Sequence, residues 1–438
     1  MAAGVWGLNR KQWTILFAAW LGWGFDVFDA LLFSYVAPNC VPTLLGLVIG
    51  SPEAKTATLY WTGVLTSILL IGWAVGGVLF GVVCDRIGRT RTLMWTMLLY
   101  AIGTAACAFA PNLWTLIAFR IVASLGIGGE WAAGASMVAE AMPDKRRVAA
   151  GALLYTASPL GLFLATFVNF QVAGVWLADQ PSVSWRYVFL FGLIPAAIAF
   201  VVRWFVNEPE RWQALRQTQR TQRARLGELF DPAFLRITLV GSGLAFVSLI
   251  TWWSCNAFIA TMATGWAQNA AQLQQLTQTA TLALVEDWKF RATFWFNLGG
   301  LLGTLLTIPL AQILGRRAMF AIYFIASAMS IFGMFGIDWP AEVRLYLYFF
   351  IGVFVFGVCG AFTYYLPELF PTRLRATGAG FCFNIGRVVA AAGPFIVGAV
   401  AARGQAMQAL FFVGLIPLFG LLLLPLTTET RGKALTDI

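Results

Sequence analysis

Apolar runs at 13–38, 58–83, 92–110, 113–141, 148–178, 185–206, 236–263, 291–314, 318–337, 342–368, 376–402 and 407–427 divide the chain into segments that each match a membrane crossing. A helical span needs about 20 apolar residues. Twelve of them take about 240 of the 438 residues and leave about 200 for loops and overhangs. With 60% hydrophobic and 11% charged residues, 19 Trp and 37 Phe, the chain cannot hide its apolar surface in a water-soluble globule. A soluble enzyme, a disordered chain and a secreted disulfide scaffold are excluded. In lipid every backbone polar group must be satisfied within its own segment or a closed barrel. Runs of this length predict an all-α membrane protein with twelve transmembrane helices.

The charges orient it. An even number of spans puts both termini on one side. The connections on that side hold 21 Lys and Arg, those on the other side 6, and Arg120 and Arg387 lie within spans. Cytoplasmic loops carry the excess of positive charge, so both termini are expected in the cytoplasm of a cell (inner or plasma) membrane. The net charge of +10 is split among short loops; it points to anionic lipid, not nucleic acid. With no histidine and six scattered cysteines, no metal site or cofactor is expected. No nucleophile–base pair suggests an enzyme.

The chain also repeats itself. Glu140, Pro143 and Arg147 recur as Glu368, Pro371 and Arg375, and Gly129 recurs as Gly357, all shifted by 228; Gly88-Arg89 recurs as Gly315-Arg316, shifted by 227. A repeat of half the chain with six spans per copy predicts two pseudo-symmetric six-helix bundles, residues 1–206 and 236–438. Residues 207–235 would join them as a cytoplasmic linker, its Gln- and Arg-rich run lying on the membrane surface as helix. Residues 39–57 and 264–290 read as the two long loops on the outer side, the second with a short helix capping the outer mouth as an alternative.

Few charges sit within the spans. A charged side chain at mid-span costs about 2.5–3.5 kcal/mol on insertion scales, so such residues usually face a partner or a wet cavity. They are Asp26 and Asp29 in the first span, Arg120 and Glu130 in the fourth, and Arg387 in the eleventh. Asp26 and Asp29 share one helix face. At the repeat offset Arg120 faces Tyr348 and Arg387 faces Pro159, so symmetry of the scaffold does not require these charges. Transport chemistry accounts for them; an Asp29–Arg120 pair that merely neutralises both charges is the alternative. Without histidine, proton carriage falls to Asp26, Asp29 and Glu130. Arg120 or Arg387 would hold a substrate anion by charge-assisted hydrogen bonds. Trp252, Asn256, Asn297, Tyr364, Tyr365 and Asn384 are candidates to line a central site. At the span ends, Asp85, Arg86, Arg89, Glu140, Arg147, Glu368 and Arg375 read as gate residues.

Several motifs carry a resemblance to the major facilitator superfamily. GVVCDRIGRTR at 81–91 and RIVASLGIGG at 120–129 resemble its loop between spans 2 and 3 and its span 4 motif. NEPERW at 207–212, PELFPTRLRATG at 367–378 and ETRGKAL at 429–435 are similar to the sugar-porter-like branch. GGEWAAG at 128–134 resembles the sialate:proton and monocarboxylate:proton symporters, Asp26-Val-Phe-Asp29 the aromatic acid:proton symporters, and NIGR at 384–387 both. The second copy of the gate loop departs from the pattern, with Gln312 where Asp85 would recur. The resemblance implies a monomeric secondary transporter, proton-coupled, that carries a small organic anion (monocarboxylate, sialate or aromatic acid) by alternating access. In it Asp26 and Asp29 act as proton or gating carboxylates, and Arg120 and Arg387 as anion or coupling partners. A sugar or polyol carrier, or efflux by proton antiport, is the alternative.

Overall fold

The computed structural model describes residues 8–49, 51–177, 179–204, 206–208, 210, 212–213, 225–256, 258–392, 396 and 405–435. Most of the surface helix expected within 207–235, and the end of the run at 376–402, lie outside the described residues. The described ones form helices and turns and no strand.

Local chemistry sets where the helices begin. Asn9 opens α1 (Arg10–Leu45) with a capping box: its side chain accepts from Gln12 N, and the Gln12 side chain accepts from Asn9 N, both at 2.9 Å. Ser51 caps α2 (Pro52–Ile87), and Pro52 stands at the first position, where a missing N–H is harmless. There follow α3 (Arg89–Cys107), α4 (Leu113–Ala141, capped by Asn112), α5 (Arg147–Tyr155), α6 (Ala157–Asn169), α7 (Pro181–Phe191) and α8 (Leu193–Trp204). Then come α9 (Pro232–Asn256), α10 (Ile259–Leu273), α11 (Gln278–Ile313), α12 (Arg316–Gly336), α13 (Ala341–Ile351), α14 (Phe362–Leu369), α15 (Arg375–Ala390), α16 (Ala406–Val413) and α17 (Ile416–Leu423).

Nine stretches among the described residues are long and apolar enough to cross a membrane, from Arg10–Phe33 to Ala406–Leu426. The other three expected runs are helical where described, as α3, α7 with α8, and α15. Large apolar side chains stay outside: Trp95 is 63% exposed, Trp114 71% and Leu422 71%. Surfaces of this kind are covered by acyl chains, not water.

The two outer loops are much shorter than the sequence suggests. α1 continues to Leu45 with Pro38 and Pro42 inside it, ending at Gly46 with φ 70°, and α2 resumes at Pro52. The stretch at 264–290, expected as a loop or a single short helix, is two helices with a turn at 274–277 between them. Its Ala and Gln residues are good helix formers, and Thr277 caps α11 by accepting from Ala280 N.

Two compact units arise. The first comprises Met1–Asp231, Leu366–Asn384 and Ala434–Ile438, and the second Pro232–Tyr365 with Ile385–Lys433. In the first, Phe28, Leu32, Phe33 and Val36 of α1 pack with Leu113 and Leu116 of α4 and Trp185 and Phe189 of α7. In the second, Phe320 of α12 lies 5.4 Å from Phe362 and 5.3 Å from Tyr365.

Glycine works at two equivalent corners. Gly88 (φ 117°) turns α2 into α3, and Gly315 (φ 92°) turns α11 into α12. A side chain at either would be strained by that φ and would strike a carboxylate, Glu208 in one case and Glu429 in the other. Each carboxylate caps the helix that follows. Glu208 accepts from Arg89 N at 2.7 Å and Arg91 N at 3.2 Å. Glu429 accepts from Arg316 N at 3.0 Å, Arg317 N at 3.1 Å and Arg431 N at 2.9 Å. An anion at a helix N-terminus also meets the favourable end of the helix dipole.

Candidate functional site

The charges expected within the spans are buried. In the first unit Asp26 is fully buried and Asp29 is 3% exposed. α3 brings Thr104 to Asp29, its hydroxyl 2.7 Å from each carboxylate oxygen. α4 brings Arg120, with Nη1 3.8 Å from Asp29 Oδ2. That separation allows attraction but no direct hydrogen bond. The guanidinium is steadied by the backbone of α1 instead, Nη2 donating to Ala30 O at 3.2 Å, and it lies 6.0 Å from the Phe33 ring. The result is a carboxylate held by one neutral donor and one charge at arm's length. Glu130 lies further along α4 and meets the Thr96 hydroxyl at 3.4 Å.

A second cluster gathers the gate candidates, all within the same unit. Arg89 forks onto Glu140, Nε at 3.0 Å and Nη2 at 2.7 Å, and its Nη2 also reaches Asp85 Oδ1 at 2.9 Å. Arg375 donates to Glu140 Oε1 at 3.0 Å and to the Thr372 hydroxyl at 2.8 Å. Asp85 further accepts from Thr377 N at 2.7 Å and the Thr377 hydroxyl at 2.8 Å. Arg147 pairs with Asp144, and its Nη1 lies 3.5 Å from Glu368. Three guanidiniums thus meet the three buried carboxylates of Asp85, Glu140 and Glu368. Forked guanidinium–carboxylate bonds are the strong kind, and a buried charge needs such a partner. Arg86, grouped with these in the sequence, is exposed on the same turn.

The remaining candidates are spread more widely. Asn384 belongs to the first unit, donates to Gly380 O at 2.8 Å and presses on Gly77, where a Cβ would come within 2.0 Å of it. Arg387, in the second unit, is 3% exposed. There, too, Trp252 lies 5.5 Å from Phe356 and Asn297 is buried, whereas Asn256 is half-buried at the end of α9. Tyr364 is buried with the Arg316 guanidinium 5.9 Å from its ring. Among the described residues Trp252 Nε1, Asn297 Oδ1 and the Tyr348 hydroxyl have no hydrogen-bond partner.

Thr104, Tyr348, Glu208 and Glu429 are the residues that sequence reasoning missed. A lone threonine or tyrosine in an apolar run carries no charge signal. For the two glutamates the signal was there: each stands at the start of a motif that follows a span, second in NEPERW and first in ETRGKAL, one per copy of the repeat. Among the described residues no three His, Cys, Asp or Glu side chains converge as a metal site would require.

Burial pushes the Glu429 carboxyl up. The three backbone N–H donors and the Arg316 charge outweigh it and hold the group below the ordinary carboxylate range.

Comparison with known proteins gives a consistent picture. The Major Facilitator Superfamily profile matches residues 13–394. A cis,cis-muconate transport protein of Acinetobacter baylyi is 29% identical, over 94% of this chain and 94% of that protein. A niacin transporter of the same organism is 26% identical, over 98% of this chain and 97% of that one. Among solved structures, the proton:xylose symporter bound to 6-bromo-6-deoxy-D-glucose superposes with a TM-score of 0.75 at 18% identity, over 97% of this chain and 98% of that one. At that identity the likeness is one of fold.

Proposed function

The chain belongs to the major facilitator superfamily, and from that premise we propose that it is a proton-coupled symporter of a small organic anion. It is a multi-pass membrane transporter, not an enzyme. The finer reading assigns the proton to the pair Asp26 and Asp29, with Glu130 as a further acid, and the substrate anion to Arg387. Trp252, Asn256, Asn297 and Tyr364 would add neutral contacts. Asp85, Arg89, Glu140, Arg147, Glu368 and Arg375 would close the cytoplasmic gate during alternating access. The protein would work as a monomer, with both termini in the cytoplasm and the proton as its coupling ion.

The observation that carries the reading is the setting of Asp29. Its partners are a hydroxyl at 2.7 Å and a guanidinium at 3.8 Å. Burial favours the protonated acid and the neighbouring cation favours the carboxylate. A group between two such effects can change protonation when Arg120 shifts by an ångström or two. The relatives support an acid as cargo, since niacin and cis,cis-muconate both carry carboxyl groups.

Uptake into proteoliposomes tests this. With an acidic exterior, a labelled acid from a panel of nicotinate, cis,cis-muconate, lactate and N-acetylneuraminate should accumulate, and a protonophore should abolish the accumulation. Uptake of xylose alone, or acid uptake indifferent to the pH gradient, would overturn the proposal.

A further inference from the structure

An acid that carries a proton must be stable in two forms, and the surroundings of Asp29 serve those forms unequally. Arg120 has donors and no acceptor, so it helps the carboxylate alone. The protonated acid has an O–H of its own, and a buried donor without an acceptor is costly. Close packing limits what water can supply here. α3 and α4 meet backbone to backbone beside Thr104, where a Cβ on Gly103 would lie 2.6 Å from Ala123 N. The other charged or titratable groups on the helices around Asp29 are Asp26 on α1 itself, Cys107 on α3 and Arg186 on α7. The Arg186 guanidinium is committed to Ala108 O and Ala110 O, at 2.6 and 3.1 Å.

Thr104 suits both forms. A hydroxyl is a donor and an acceptor at once, and this one is 2% exposed. It lies 2.7 Å from each Asp29 oxygen. Its single proton can serve one of them. The other oxygen is then within reach of the hydroxyl's lone pairs.

For Thr104 to accept from the acid, its own proton needs another place, and α3 shows where. Thr92 donates to Gly88 O at 2.7 Å, and Thr96 to Leu93 O at 3.1 Å. Threonine in a helix commonly reaches the carbonyl of the preceding turn in this way. Thr96 stands two turns before Thr104 on the same face of α3. Its hydroxyl gives its proton to the backbone while its oxygen lies 3.4 Å from Glu130 Oε2. The same helix thus holds both arrangements, each beside a buried acid.

We infer that Thr104 is a positioning residue for the proton step, a hydroxyl that reverses its hydrogen bond as Asp29 changes form. With Asp29 ionised, Thr104 donates to the carboxylate. When a proton binds Asp29, the new O–H donates to Thr104 Oγ1, and the threonine proton turns to a carbonyl of its own preceding turn. The O–H of the acid is the one covalent bond formed, and neither form strands a buried donor. This rests on the reading of Asp29 as a proton carrier and adds the residue that lets it be one.

The test uses the purified full chain in proteoliposomes, with the labelled acids named above. Thr104→Val keeps the shape and removes the hydroxyl; Thr104→Ser keeps the hydroxyl. The valine variant should lose gradient-driven accumulation roughly tenfold or more, the scale of one hydrogen bond to a charged group, and retain counterflow exchange. Serine should restore accumulation. Lost packing alone would lower both activities, and the smaller serine would not repair it. Infrared difference spectra between acid and neutral pH add a direct signature. The carbonyl stretch of protonated Asp29, assigned by its absence in Asp29→Asn, should move to higher frequency in Thr104→Val and return in Thr104→Ser. If the valine variant fails to fold, Thr104→Ala removes the hydroxyl with less bulk and is read in the same two ways. Parent-level accumulation without the hydroxyl, or a carbonyl band that stays in place, would overturn this inference and leave proton symport standing. A parent chain that accumulates no acid under the gradient would overturn both.

Discussion

Glu140 and Arg375 stand 235 residues apart in the sequence and 3.0 Å apart in the fold, both side chains fully buried. The carboxylate also receives Arg89, so one acid serves two cations. Removing the acid leaves both guanidiniums buried and short of charge. Glu140→Ala should cost about 3–5 kcal/mol of stability, as breaking a buried pair does. In a cycle of Glu140→Gln and Arg375→Gln the double variant should depart from additivity by about 0.5–3 kcal/mol. Additive shifts in melting temperature would show that the pair is not coupled.

Asp29→Asn keeps the shape of the side chain and its reach to Thr104 while fixing it neutral. Accumulation driven by a pH gradient should be lost and counterflow exchange retained. Asp26→Asn should also impair gradient-driven uptake. Accumulation at the parent level by both variants would take the proton away from this pair.

Arg387 separates a binding role from a scaffolding one. Arg387→Lys keeps the charge and loses the forked geometry, so acid affinity should weaken by about 1–3 kcal/mol. Arg387→Ala should nearly abolish binding with melting temperature preserved. Unchanged affinity in a well-folded alanine variant would exclude Arg387 from the site.

Glu429 gives a pH signature of stability. Its folded-state pKa lies below the ordinary 4.5. Its contribution is therefore complete above 4.5 and is lost as pH falls through the folded-state value. Glu429→Gln should melt below the parent chain at pH 7, and the gap should close in the acid range. A gap of the same size at pH 3 and pH 7 would contradict the capping role.

What could be read from the sequence followed the strength of its physical signal. Charges inside apolar runs are conspicuous, so Asp26, Asp29, Arg120, Glu130 and Arg387 stood out, and all five are buried. The pairing of Asp29 with Arg120 was one of the two alternatives, and the distance of 3.8 Å fits a gating contact as well as a neutralising one. The repeat gave the register of Glu140, Arg147, Glu368 and Arg375. It did not give their pairing, because an offset along the chain does not say which copy a side chain faces. Loop lengths were overestimated at 39–57 and 264–290, where hydropathy falls but helix-forming residues continue.

The two acid–base pairs of the gate cluster have a reciprocal pattern. Glu140 and Arg147 belong to one copy of the repeat, Glu368 and Arg375 to the other, yet Glu140 binds Arg375 and Glu368 lies beside Arg147. Each copy lends its acid to the other's arginine. In a homodimer with an isologous interface, residue i of one subunit meets j of its partner and j meets i, so a single Glu–Arg contact would occur twice. Here the same two-fold reciprocity is closed within one chain.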